Sequence, residues 1–112
     1  MPNRICFVEL PARDRAADKR FYDNAFGFAM TDFGPSYACT MTGDVDLGLQ
    51  ADRPDQTRAP LAVIQVEDLE ATEAAVRSAG GVITKPIFAF PGGRRFHFTD
   101  PSDNELAAMQ PA

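Results

Sequence analysis

A chain of 112 residues with 45% apolar residues and nine phenylalanines can bury a core of its own, which argues against disorder and sets the expectation of one compact domain. Sixteen acidic against eleven basic residues give a formal net charge of −5, so nucleic acid and anionic membrane surfaces are not expected partners. Two cysteines are too few for a disulfide scaffold, and neither Cys6 nor Cys39 has a second cysteine at zinc-site spacing; both are read as partly buried free thiols. No basic segment leads into an apolar signal at the start, and no apolar run approaches the roughly 20 residues that span a bilayer, so the expected location is cytoplasmic.

In chain order, Arg4 to Leu10 alternates as a strand, with Cys6, Val8 and Leu10 on one face and Ile5, Phe7 and Glu9 on the other. Asp14 is a suitable N-cap for a helix that places Ala17, Phe21 and Ala25 on one stripe, expected to pack on a sheet, with Tyr22 and Phe26 beside it and Gly27 as its stop. Phe28 to Phe33, Tyr37 to Thr42 and Val45 to Gln50 read as three short strands, turned at Gly34-Pro35 and Gly43-Asp44. The stretch from Ala51 to Pro60 is polar, holds two prolines and lacks periodicity, as a linker does.

The pattern then restarts. Leu61 to Val66 is a strand, and Asp68 caps a helix whose buried side is Leu69, Thr72 or Glu73, Val76 and Ala79, ending at Gly80-Gly81. Val82 to Phe88, Arg94 to Thr99 and Asn104 to Met109 are strands, with Pro91-Gly92-Gly93 and the Asp100-Pro101 stretch as the turns between them. Strand, capped helix, glycine stop and three strands thus occur twice at a period of about 54 residues. The expectation is an α+β domain over residues 1–112, with module one at 1–52, a linker at 51–60 and module two at 60–112.

Glu9-Leu10-Pro11, Asp14, Ala17, Phe21-Tyr22 and Phe26-Gly27-Phe28, followed by Ala79-Gly80-Gly81, Gly92-Gly93-Arg94 and Asp100-Pro101 through Asn104, resemble the two modules of the vicinal oxygen chelate superfamily. This is the group of glyoxalases, bleomycin-resistance proteins and extradiol dioxygenases. The resemblance spans nearly the whole chain and implies paired beta-alpha-beta-beta-beta modules with cupped mixed sheets, often in a dimer. In many members the cup holds a divalent metal that chelates vicinal oxygens. Carried onto this sequence, the metal-ligand positions fall on Phe7, at or near Gly48, on Leu61 and on Ala107, and none of these side chains can bind an ion that needs several imidazole, carboxylate or thiolate groups. No metal and no organic cofactor are therefore expected.

The polar groups left to line such a pocket are Glu9, which shares a strand face with Phe7, and His97, with Tyr22, Tyr37 and Arg94 or Arg95 as further candidates. Burial raises the pKa of carboxylates and imidazole titrates near neutrality, so Glu9 and His97 are the candidate acid-base groups. Alternation places His97 and Thr99 on one strand face without saying whether that face is opposite the helices. Asp100 and Asp103 read as turn residues rather than as an ion site. Three functions stay open: a metal-independent protein that binds a small organic molecule, with Phe7, Glu9, Tyr37, Leu61, His97 and Ala107 lining its site; a lyase, isomerase or epimerase related to lactoylglutathione lyase and acting through Glu9 and His97; and a non-catalytic dimeric structural module. A homodimer is expected in each case.

Overall fold

The computed structural model describes residues 3–112. The described chain forms two compact units, one of residues 7–61 and one of residues 62–112 with residues 3–6. Each is a beta-alpha-beta-beta-beta module with a mixed sheet, as the repeat in the sequence predicts.

In the first unit the elements are β1 (Arg4–Pro11), α1 (Arg15–Phe26), β2 (Thr31–Asp32), β3 (Tyr37–Cys39) and β4 (Asp46–Gln50). The spatial order is β2-β3-β4-β1: β1 runs parallel to β4, with Glu9 opposite Gly48, and the other neighbours are antiparallel. Asp14 caps α1 by accepting from the Ala17 amide at 3.0 Å, and Gly27 ends it at a φ of 71°, the left-handed geometry that only glycine adopts without steric cost. Ala12, Met30, Ala38 and Leu49 form the core, with Leu10, Leu47 and Tyr22 packed against it.

The stripe expected to bury α1 does not do so. No residue of α1 is fully buried, and Phe21 and Phe26 are 57% and 63% exposed. Tyr22, one position round the helix, makes the packing contact, and Phe21 instead meets the Tyr22 ring edge-on at 5.1 Å. Two further expectations shrink. Only Thr31–Asp32 of the Phe28–Phe33 stretch pairs as a strand, and β3 stops at Cys39. Beyond it Asp46 organises a turn by accepting from Thr40 Oγ1, Thr42 Oγ1 and the Thr42 amide at 2.7–2.8 Å. The 51–60 stretch is irregular apart from one 3-10 turn, Arg53–Asp55.

The second unit contains β5 (Leu61–Gln65), α2 (Leu69–Ser78), β6 (Val82–Phe90), β7 (Gly93–Thr99) and β8 (Glu105–Pro111). Its order, β5-β8-β7-β6, repeats that of the first, with β5 parallel to β8 and the two hairpins antiparallel. Asp68 caps α2 through the Ala71 amide at 3.0 Å, and Gln110 Oε1 accepts from the Leu69 amide at 2.9 Å, tying the helix start to β8. Val66, Leu69, Phe96 and Ala108 are the core under α2, with Val76, Ile83, Ile87 and Phe98 against it. Ala79, predicted on the buried side, lies past the last helical turn and is exposed. Between β7 and β8 Asp100 accepts from the Ser102 and Asn104 amides at 2.9 Å and from Asn104 Nδ2 at 3.0 Å, while Asp103 takes a φ of 66°. The acidic cluster is a turn, as its residue types indicate.

Candidate functional site

Each sheet has one face under its helix and one turned away, and the candidate residues other than Tyr22, which packs against the helix-side core, and Arg94 lie on the faces turned away. In β1 Leu10 packs into the helix-side core, so strand alternation sends Phe7 and Glu9 the other way. In β4 Leu47 and Leu49 pack helix-side, which leaves Gly48 beneath Phe7 and Tyr37. A Cβ at Gly48 would lie 2.5 and 2.7 Å from atoms of the Phe7 ring and 2.7 Å from the Tyr37 hydroxyl. Phe7 and Tyr37 thus fill the space that a side chain at position 48 would need. Tyr37 donates to Glu9 Oε1 at 2.9 Å, and Glu9 is only 2% exposed. Burying a carboxylate is expensive unless hydrogen bonds replace its water, and the phenol supplies one. The structure thus brings Phe7, Glu9 and Tyr37 together around Gly48.

In the second unit Phe96 and Phe98 pack under α2, so Arg95, His97 and Thr99 occupy the face turned away from it, which alternation alone left undecided. Across the sheet His97 pairs with Ala107 of β8 and Lys85 of β6, and Ala107 pairs with Val63 of β5. Leu61, at the start of β5, and Ala107 are each fully buried. His97 is also fully buried; its Nδ1 lies 3.0 Å from Glu105 Oε2, which accepts from Thr84 Oγ1 at 3.3 Å. A carboxylate only accepts, so Nδ1 carries the hydrogen and Nε2 keeps its lone pair. Among the described residues Nε2 has no hydrogen-bond partner. Burial pulls the imidazole pKa below its usual value; the Glu105 bond opposes this, and the positive charges of Arg95 and Lys85 reinforce it.

Glu105 was not singled out by sequence reasoning. The signal was present: a tight turn pairs Thr99 with Glu105, which puts the carboxylate on the His97 side of the sheet two residues before Ala107. Arg94 is corrected as a candidate for meeting an anion. Its guanidinium reaches α2 and bonds Glu70 at 2.5 and 3.2 Å, leaving Arg95 on the His97 side. A separate groove of about 460 Å³ runs along α1, with Arg15, Lys19, Phe28 and Met30 in its lining. Two of the cations that line it are already answered, because Arg15 and Lys19 both bond Asp32, whose pKa these bonds lower.

The metal site of the wider group does not fit this chain. Phe7, Gly48, Leu61 and Ala107 offer no donor atoms, and the space over Gly48 is taken by the Phe7 ring. Among the described residues no group of three or more His, Cys, Asp or Glu side chains could hold a metal ion. Cys6 and Cys39 are not joined in a disulfide, and burial followed by the nearby Asp46 charge pushes the Cys39 thiol up.

Paired beta-alpha-beta-beta-beta modules with polar side chains on the faces away from their helices define a glyoxalase-type protein. Residues 4–108 match the Glyoxalase/Bleomycin resistance protein/Dioxygenase superfamily, and the chain belongs to it. Among solved structures it is similar to one described as an NAD-dependent benzaldehyde dehydrogenase from Legionella pneumophila, with a TM-score of 0.77 and 20% identity over 99% of this chain and 100% of the other. Methylmalonyl-CoA epimerase from Mycobacterium tuberculosis superimposes with a TM-score of 0.73 at 17% identity, over 96% and 87% of the two chains. A variant of the Streptomyces coelicolor methylmalonyl-CoA epimerase in complex with 2-nitronate-propionyl-CoA gives 0.76 at 16% identity over 97% of each. At these identities the likeness is one of fold. No curated protein matches the sequence. No helix among the described residues is long and apolar enough to cross a membrane.

Proposed function

We propose that this superfamily member binds a small organic molecule without a metal. The observation that carries the reading is the replacement of donor atoms at Phe7, Gly48, Leu61 and Ala107, with the Phe7 ring lying where a side chain at position 48 would project. What remains on the faces away from the helices is apolar surface with a few placed polar groups, the composition of a small-molecule site: the Tyr37–Glu9 pair and the His97–Glu105 pair. The test is a ligand-observed NMR screen of small organic compounds against chelator-treated protein, followed by amide shift mapping. Binding that survives the chelator and shifts amides near Glu9 or His97 supports the reading; binding only after a divalent metal is added, or none at all, overturns it.

A second reading, proton transfer by Glu9 and His97 in a lyase, isomerase or epimerase, is favoured by the unmet lone pair on His97 Nε2. Its test is exchange of deuterium from solvent into epimerisable acyl substrates. Substrates left unlabelled and unchanged count against catalysis. The expected assembly is a homodimer, for which the exposed rings of Phe21, Phe26 and Phe28 offer apolar surface. Mass in solution at low micromolar concentration checks it, and a persistent monomer refutes it.

A further inference from the structure

We propose that the groove along α1 is a second site, which takes an apolar α-amino acid. Arg20 meets the ligand's carboxylate, Asp23 its ammonium, and Phe28 and Met30 its side chain. This goes beyond the small-molecule reading above, which concerns the sheet faces turned away from the helices.

The groove is made by a chain reversal within the first unit. The Gly27 amide bonds Asp23 O at 2.8 Å and the Phe28 amide bonds Tyr22 O at 3.3 Å, so the chain leaves α1 and returns beside it. Near the helix end Phe28 stacks on Tyr22, with ring centres 6.5 Å apart and planes 14° from parallel, and at the helix start Asp32 bonds Arg15. Between these two anchors lies the cavity of about 460 Å³, a volume within the range of small-molecule sites. Met30, itself part of the core, gives it an apolar base. Phe28 is held against Tyr22 and lies 5.7 Å from Phe26, yet it is 41% exposed, so part of its ring is open to a ligand.

The lining carries five charged side chains, and the chain settles three of them. Arg15 bonds Asp32 and donates from Nε to Pro35 O at 2.9 Å, while Lys19 Nζ lies 3.1 Å from the same Asp32 oxygen. Arg20 and Asp23 remain, one cation and one anion, and among the described residues neither side chain is engaged in an ion pair or hydrogen bond. They stand three positions apart on α1, so they are neighbours on the helix surface, with Cβ atoms about 5–6 Å apart. A simple organic anion would meet Arg20 and be repelled by Asp23, and a simple amine the reverse. A molecule that carries both charges on one carbon answers the pair, and the apolar base and wall select its side chain.

The probes are L-phenylalanine, 3-phenylpropionate, which lacks the ammonium, 2-phenylethylamine, which lacks the carboxylate, and glycine, which lacks the ring. Each is titrated into nitrogen-15-labelled protein and followed by amide shifts. Phenylalanine should shift amides of residues 19–23 and 28–30 and bind roughly threefold to fivefold more tightly than either singly charged control, the scale of one exposed charge contact. Glycine should shift nothing. Arg20→Gln should weaken phenylalanine and 3-phenylpropionate and spare 2-phenylethylamine. Asp23→Asn should weaken phenylalanine and 2-phenylethylamine and leave 3-phenylpropionate as tight or tighter. Both side chains are exposed, so each variant should keep the amide fingerprint of the folded chain. Equal binding of phenylalanine and either control, shifts away from α1 and the returning segment, or no binding overturns the proposal. Shifts that follow protein concentration rather than phenylalanine place a second copy in the groove and overturn it as well. Ligands of the sheet faces shift amides near Glu9 or His97 instead, so either proposal can fail while the other stands.

Discussion

Gly48→Ala tests whether Phe7 has taken over the space of a lost ligand. The added Cβ would sit 2.5 Å from Phe7 Cζ and 2.7 Å from Tyr37 Oη, inside any real contact distance, so both side chains must shift. Overpacking of this kind costs about 1–3 kcal/mol. Alanine regains about 0.5–1 kcal/mol because glycine loses more backbone freedom in a strand. The net expectation is a loss of roughly 0.5–2 kcal/mol, or on the order of 4 °C per kcal/mol for a chain of this size. In a Phe7→Ala background the ring is gone and only the contact with the Tyr37 hydroxyl is left, so the same glycine change should cost clearly less. The cycle is read by urea titration of the four proteins, using midpoints at unchanged slope. A coupling of about 1 kcal/mol or more supports the reasoning, because independent sites add within about 0.5 kcal/mol. Additive effects, or a Gly48→Ala variant as stable as the parent, refute it.

Tyr37→Phe removes the donor to a carboxylate that is 2% exposed and should cost about 1.5–3 kcal/mol by the same titration, with no change expected at the more distant α1. Acid should destabilise the chain in two stages. His97 has a folded pKa below its unfolded value, so its contribution is present above about pH 6.5 and is lost as pH falls through the folded pKa. Asp46 follows at lower pH: partial burial raises its pKa, but the Thr42, Thr40 and Gly43 donors outweigh that, so its stabilising contribution is lost as pH falls through the lowered value. Stability measured against pH should lose its upper stage in His97→Gln, and its lower stage should shrink in Asp46→Ala. Asp14→Ala and Asp68→Ala each remove a helix cap and should cost about 1 kcal/mol by thermal melting.

The two modules were legible because local chemistry and global topology agree at their boundaries. Asp14 and Asp68 cap where a short acceptor precedes an apolar period, and the Asp100 turn fixes the register that carries His97 opposite Ala107. The errors cluster in the first unit, where segments are short and periodicity is weak. Phe21 and Ala25 lie on a plausible apolar stripe, yet Tyr22 makes the packing contact, since one residue rotates a helical face by about 100° and both faces carry aromatics. Phe28 to Phe33 has the composition of a strand but finds only two residues' worth of pairing against β3. Glu9 was readable as a residue on the face away from α1, but its bond to Tyr37 was not, because a contact across 28 positions depends on register that neither strand declares. Glu105 was missed for a simpler reason, since a glutamate at the start of a strand resembles an ordinary exposed residue until its hairpin partner is known.

The unequal strand lengths give the two modules different folding behaviour. In the second, β6, β7 and β8 run nine, seven and seven residues and are joined by turns, so most of its ladder closes between near neighbours. In the first, β2 and β3 have two and three residues, and the longest ladder, β1 with β4, joins segments some forty positions apart. Closing distant segments costs chain entropy before contacts repay it, so the meander of the second unit can form early while β1 docks late. Amide exchange should follow the same gradient, slowest in β7 and fastest along β2, so that Tyr37 and Glu9 belong to a face that opens more often than the one carrying His97.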